Sequence, residues 1–217
     1  MHTAFLFALG LYFLYSPMLF ATRRLLPRWW TDQWYVYELV RISYLLLSSI
    51  VSMELAFGDA WLLFGVDIDR AYQTILYGVC VGACFILVQL YVFHYKEIAF
   101  VELKSDKLRL GMLRPLVFTF VTPFAEEAFF RGFFQRSLQQ FAGVGISIAV
   151  TSGAFVLTHR YWRKTAKDAL FLVFSAFMLS IIAALTGNII GSIIAHSMNN
   201  SPAAFPIFRY IAHRKAT

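Results

Sequence analysis

Seven long apolar stretches dominate the sequence, and each is about as long as the roughly 20 residues that a helix needs to cross a hydrocarbon layer of about 30 Å. Hydrophobic residues fill 59% of the 217 positions, only 14% are charged, and the mean hydropathy is +0.65, which lies outside the range of soluble domains. The sequence therefore predicts an all-α, polytopic transmembrane bundle with an intramembrane polar cavity, built as one domain over residues 1–217. The predicted spans are 2–22, 35–57, 71–94, 115–140, 145–159, 169–186 and 188–212.

Two features qualify this layout at its ends. The first span has no basic residues before its apolar core and no small-residue cleavage site, so we expect a retained helix rather than a signal peptide. Pro202 and Pro206 interrupt the last span, and a proline there can split a helix into two short segments. The predicted number of helices is therefore seven or eight.

The basic residues are distributed unevenly between the two sides of this layout. The first, third and fifth connections and the C-terminal tail together hold 15 of the 19 Lys and Arg residues. Because Lys and Arg collect in cytoplasmic loops, we expect a multi-pass protein of the cell membrane with its N-terminus outside and its C-terminus in the cytoplasm. A basic face against anionic lipid headgroups accounts for the net charge of +7, so no nucleic-acid partner is predicted.

The fourth span carries charged residues where charge is most costly, in the stretch "TPFAEEAFFRGFF". Glu126 and Glu127 lie about 16–18 Å along a helix that begins near residue 115, at ~1.5 Å per residue. Ionisable groups at such depth are kept for pairing or for function. Glu127 and Arg131 are four residues apart, so they can form an ion pair on one helical face. Glu126 is rotated by about 100° from Glu127 around the helix, so this ion pair does not account for it.

Two later spans also place polar groups at membrane depth. His159 lies one turn after Phe155, and His196 lies one turn before Asn200. Taken singly, His159 is typical of a residue at the membrane interface, and His196 with Asn200 is typical of residues that form hydrogen bonds between helices. Three spans that each carry such groups instead favour one shared cavity lined by Glu126, His159, His196 and Asn200.

The order of these motifs resembles the CPBP family, the CAAX prenyl proteases and bacteriocin-processing enzymes that share the ABI domain. The resemblance covers about residues 115–205, and the first three spans carry no motif of the family. The matching residues form the patterns EExxxR (Glu126, Glu127, Arg131), FxxxH (Phe155, His159) and HxxxN (His196, Asn200).

The resemblance implies an intramembrane glutamic endopeptidase that needs neither a metal ion nor another cofactor. Glu126 would be the general base that activates water, and His159 would help to hold that water. His196 and Asn200 would stabilise the oxyanion, and Glu127 with Arg131 would be the supporting pair. The implied partner is the C-terminal segment of a membrane-anchored or lipidated protein, and the sequence does not indicate its identity or the oligomeric state.

Three alternatives remain open from the sequence. Glu126, His159 and His196 contain the ligand types of a zinc site, although the HExxH motif is absent from the sequence. A non-catalytic scaffold or immunity protein could share the fold. A proton-coupled carrier also uses buried Glu and His, although the sequence shows no inverted repeat.

Overall fold

The computed structural model describes residues 6, 7, 10–15, 17, 34–58, 70–92, 116–159 and 165–204, and the regular structure in these ranges is helical throughout. Two π-helical segments, Val117–Val121 and Ala128–Gln135, flank a short α-helix and join it into one continuous path. Within the described part of the chain, six α-helices have assigned bounds: α1 (Trp34–Phe57), α2 (Ala71–Val92), α3 (Thr122–Glu127), α4 (Arg136–Thr158), α5 (Ala166–Thr186) and α6 (Ile190–Ala204).

The helices agree with a helical membrane protein. Among the described residues, three stretches are long and apolar enough to cross a membrane: Ala71–Tyr91, Val117–Thr158 and Ala166–Thr186. Helix α1 has 24 residues, or about 36 Å, but it contains three charged side chains and is not among these three. The first predicted span and the end of the last one lie largely outside the described residues, so a total of seven or eight helices stays a prediction.

The longest of the three stretches is a hairpin rather than one span. A straight helix of 42 residues would be about 63 Å long, twice the thickness of the hydrocarbon layer. Gly143 interrupts it with φ 81° and ψ 172°, a backbone conformation that is essentially restricted to glycine. The rings of Phe130 and Phe155 then lie 5.2 Å apart, and Glu126 contacts His159. These pairs are symmetric about the break, so the chain reverses at Gly143, in the connection between the predicted spans 115–140 and 145–159.

Helix α5 begins at Ala166, three residues before the apolar run that predicted it. The side chain of Thr165 accepts a hydrogen bond from the backbone N–H of Asp168, and the Asp168 carboxylate accepts one from the backbone N–H of Thr165. This reciprocal capping satisfies two backbone donors that would otherwise lack partners. The polar first turn of α5 is therefore helical because of its cap, not because of hydrophobicity.

The core is formed around the π-helical segment Ala128–Gln135, all eight residues of which are buried. Its phenylalanines are each at most 1% exposed and pack against α1 and α4. They therefore fill the core and do not line an open groove. The four are Phe129, Phe130, Phe133 and Phe134.

Helix α6 packs most extensively against α2, and small residues permit the close approach. A Cβ atom added at Gly78 would lie only 2.7 Å from the backbone oxygen of Gly191. Polar pairs fix the register of the two helices, because the amide of Asn188 donates to the Thr74 hydroxyl at 2.9 Å. The helix continues through Pro202 to Ala204, and Pro206 lies outside the described residues.

Candidate functional site

The Glu126 carboxylate lies at the centre of a buried polar cluster. Its residue is 2% exposed and stands near the end of α3, directly before the π-helical segment Ala128–Gln135. Nε2 of His159, at the end of α4, is 3.5 Å from Oε1. Nε2 of His196, on α6, is 3.6 Å from Oε2. The structure thus brings one imidazole to each oxygen of the carboxylate, from two different helices. π-Helical turns inside longer helices occur frequently at functional sites.

His159 is held by the last turn of α4. It is the C-cap residue, with φ −98° and ψ 19°, and its ring stacks on Phe155 with centroids 4.2 Å apart. Its Nδ1 is 2.8 Å from the carbonyl oxygen of Phe155. Because a carbonyl oxygen can only accept, this contact assigns the hydrogen to Nδ1. With its hydrogen on Nδ1 held in this way, the ring presents Nε2 to the Glu126 carboxylate.

His196 is oriented in a similar way by the second glutamate. Its Nδ1 is 2.7 Å from Oε1 of Glu127, so Nδ1–H donates to a carboxylate and Nε2 faces Glu126. A carboxylate behind an imidazole holds the ring in one tautomer and stabilises the imidazolium that forms when the ring accepts a proton. Both imidazoles consequently direct the same type of atom at the same carboxylate.

Arg131 balances the charge of Glu127 in the interior. Arg131 is 1% exposed, and its NH1 donates to Oε1 of Glu127 at 3.0 Å, across the spacing of four residues that the sequence suggested. It also donates to the backbone oxygen of Ala176 at 3.1 Å and to the Ser180 hydroxyl at 3.4 Å, both on α5. Its guanidinium carbon lies 4.4 Å from the centre of the Phe155 ring. Arg131 therefore links three helices behind the two imidazoles.

Asn200 lies one turn beyond His196 on α6 but does not contact the Glu126 carboxylate. Its Nδ2 donates to the backbone oxygen of Phe118 at 3.1 Å, which ties α6 to the π-helical segment before α3. An amide nitrogen carries two hydrogens, so one remains for a second acceptor. The structure thus assembles Glu126, His159 and His196 and holds Asn200 at their edge.

Arg41 is the site residue that the sequence analysis missed. It lies on α1, and its NH1 forms an ion pair with Oε1 of Glu126. Its Nε and NH2 both contact Oε2 of Glu38, at 3.0 and 2.9 Å. The signal was present in the sequence, because "ELVRIS" places two charged residues in an apolar span. Ionisable groups at membrane depth are kept for pairing or for function, and this reasoning applies to Glu38 and Arg41 as it does to Glu126.

The arrangement is suited to proton transfer. A carboxylate with an imidazole Nε2 near each oxygen can take a proton from a water molecule that binds beside it. Among residues 34–58, 70–92, 116–159 and 165–204, no three His, Cys, Asp or Glu side chains are arranged to hold a metal ion. The cation next to Glu126 is the guanidinium of Arg41.

Comparison with known families identifies the segment that carries this site. The family of type II CAAX prenyl endopeptidases, Rce1-like, matches residues 109–202, somewhat less than half of the chain. No curated protein and no solved structure matched the chain. The matched segment contains every residue of the three motifs, whereas Glu38 and Arg41 lie outside it. This match confirms the resemblance to the CPBP family of CAAX proteases over residues 109–202.

Proposed function

We propose that the chain is an intramembrane endopeptidase that hydrolyses a peptide bond near the membrane-tethered or lipidated C-terminal segment of a protein. One observation carries the proposal above the others: the buried Glu126 carboxylate faces the Nε2 atoms of His159 and His196 at 3.5 and 3.6 Å. Peptide hydrolysis at neutral pH needs a base for the attacking water and donors for the oxyanion, and this cluster offers both.

The proposed reaction begins when Glu126 takes one proton from a water molecule that His159 helps to hold. The oxygen of the resulting hydroxide forms a bond to the scissile carbonyl carbon, and the carbonyl oxygen becomes anionic. The C–N bond then breaks, the amine nitrogen receives the proton from Glu126, and the carbonyl double bond re-forms within the new carboxyl group. Each proton and bond is accounted for without a covalent enzyme intermediate.

Two groups would stabilise the oxyanion in this scheme. His196 would donate through Nε2–H, in a protonated ring whose Nδ1–H donates to the Glu127 carboxylate. Asn200 donates through the amide hydrogen that is not bound to the Phe118 carbonyl. Removal of one oxyanion donor typically lowers the rate by about 10²–10³. Glu127 and Arg131 act behind these groups and touch no substrate in this scheme.

Metal-independent catalysis is part of the proposal. A zinc ion bound by Glu126 and the two histidines would lie next to the Arg41 guanidinium, which already pairs with the same carboxylate. The proximity of two cations is unfavourable in a buried site of low polarity. We expect full activity in the presence of a chelator. Loss of activity with the chelator and its recovery with zinc would establish the zinc mechanism instead.

The proposed location follows the charge distribution of the loops. Glu126 lies about 14 Å along the helical path from residue 117, and His159 ends the returning helix at the same level. In the orientation predicted from the basic loops this level is closer to the cytoplasmic face. We propose that the substrate segment enters from that face or laterally from the bilayer of the cell membrane.

The test is cleavage in reconstituted vesicles. The probe is a quenched fluorescent peptide that ends in a prenylated cysteine followed by three residues, compared with an unprenylated peptide tethered by a transmembrane segment. Mass spectrometry identifies the cleaved bond. We expect wild-type protein to cut at least one probe and Glu126→Gln to cut neither while remaining folded. Absence of cleavage by both proteins would favour the scaffold alternative, and equal cleavage by both would remove Glu126 from the mechanism.

A further inference from the structure

Helix α1 contributes two charged groups that connect to Glu126, although this helix lies outside the segment matched by the family. Glu38 and Arg41 are three residues apart on this helix, and Arg41 reaches Glu126 on α3. The exposed fraction of these three side chains falls from 26% at Glu38 to 12% at Arg41 and 3% at Glu126. The three charged groups therefore form a connected series from the partly accessible surface to the buried carboxylate.

The contacts give Glu38 and Glu126 different parts of the guanidinium. One oxygen of Glu38 accepts from Nε at 3.0 Å and from NH2 at 2.9 Å, so it holds one edge of the planar group. NH1 remains for Oε1 of Glu126. The guanidinium is rigid and planar, so fixing one edge also fixes the direction of NH1. A lysine ammonium is a point charge and cannot hold two carboxylates with this geometry.

This arrangement makes the two oxygens of Glu126 unequal. Oε1 is occupied by Arg41 and lies near Nε2 of His159, whereas Oε2 faces Nε2 of His196 at 3.6 Å. A carboxylate held at one oxygen cannot rotate freely about its Cγ–Cδ bond. Oε2 is therefore presented in one direction, toward the helix that also carries Asn200.

We propose that Arg41 is a positioning residue, oriented by Glu38, that holds Oε1 of Glu126 and so fixes the plane of the carboxylate that takes the proton of the attacking water. The inference rests on the proposed function of Glu126. It gives helix α1 a role in the reaction, although α1 lies outside the segment that the family matches. Arg41 touches neither water nor substrate in this proposal and acts through the carboxylate.

The effect of removing Arg41 should fall on turnover rather than on substrate binding. A displacement of about 1 Å in a reacting group can lower a rate by about 10². We expect Arg41→Gln to lower kcat by about that factor with KM changed less than threefold. Arg41→Lys, which keeps the charge and loses the two-edged contact, should recover part of the loss. Glu38→Gln should lower kcat by about tenfold, because Arg41 stays but is less firmly oriented.

The experiment measures kcat and KM in vesicles for Arg41→Gln, Arg41→Lys, Glu38→Gln and the double variant Glu38→Gln/Arg41→Gln. Arg136→Gln is the matched control, because Arg136 donates to the backbone oxygen of Gly187 at the other end of the hairpin. The double variant should be no slower than Arg41→Gln, since Glu38 acts only through Arg41. The control should keep the wild-type kcat.

Several outcomes would overturn the proposal. Wild-type kcat in folded Arg41→Gln would show that the ion pair only ties α1 to the bundle, and a raised kcat would show that it inhibits Glu126. A change in KM alone would assign Arg41 to substrate binding. If Arg41→Gln does not fold, an unchanged kcat in Glu38→Gln would still contradict the proposal. Cleavage by Glu126→Gln would instead refute the proposed function, so the two failures are distinguishable.

Discussion

The ion pair between Glu127 and Arg131 allows a quantitative prediction about stability. Both residues are at most 1% exposed, and Arg131 also binds the Ala176 carbonyl and the Ser180 hydroxyl. Removal of one partner from a buried pair leaves the other charge uncompensated and costs about 3–5 kcal/mol. We expect Arg131→Met to lower the free energy of unfolding by that amount. Methionine fills much of the volume, so the loss reports on charge rather than on a cavity.

The matched variant removes both charges. In Glu127→Gln/Arg131→Met the amide oxygen of Gln can still accept from Nδ1 of His196, and no buried charge is left alone. We expect the double variant to be more stable than Arg131→Met by at least about 2 kcal/mol. Arg136→Met should cost less than Arg131→Met, because the hydrogen bond of Arg136 to the Gly187 carbonyl is exposed. Unfolding by SDS in detergent micelles, followed by tryptophan fluorescence, gives these energies. A cost below about 1 kcal/mol for Arg131→Met, or additive losses in the double variant, would refute the reasoning.

Three further variants test the hairpin, the packing of α6 and the oxyanion site. Gly143→Ala should lower the free energy of unfolding by about 1–3 kcal/mol, because Gly143 has a positive φ. Gly145→Ala should be neutral, because a Cβ atom added at Gly145 would meet open space. Equal effects of the two variants would argue against a turn at Gly143. Gly78→Ala should lower both stability and activity, because its Cβ would lie 2.7 Å from the Gly191 backbone oxygen, and wild-type values in a melting and cleavage assay would contradict the tight contact. Asn200→Ala should lower kcat by about 10²–10³ without unfolding the protein, and a change confined to KM would remove Asn200 from the oxyanion role.

Local spacing predicted part of the site well because it depends on few variables. Residues four apart share a helical face, which placed Arg131 next to Glu127 before any tertiary contact was known. The cost of charge in a membrane singled out Glu126 and the two histidines as members of one cluster. The side of each imidazole that faces Glu126 was not predictable, because it depends on the C-cap conformation of His159 and on the carboxylate behind His196.

Contacts between distant parts of the chain were beyond sequence reasoning. Arg41 and Glu126 are 85 residues apart, and nothing in the spacing of either helix indicates that α1 packs beside α3. The charge rule that predicts orientation counts basic residues in loops, so it gives no role to Arg41, which lies within a span. Within the described residues, the bounds of α1 and α2 were predicted to within two residues, whereas a polar cap extended α5 by three residues toward its N-terminus.

The central claim is that Glu126 carries the hydrolysis, and one comparison tests it most directly. Wild-type protein, Glu126→Gln and the control Glu54→Gln, a glutamate on the exposed side of α1, are reconstituted at equal density and assayed on the prenylated and the transmembrane-tethered probe. General base catalysis contributes about 10²–10⁴ to a rate. We predict that kcat/KM falls by at least 10² in Glu126→Gln and stays at the wild-type value in Glu54→Gln. Cleavage by folded Glu126→Gln at the wild-type rate would contradict the account.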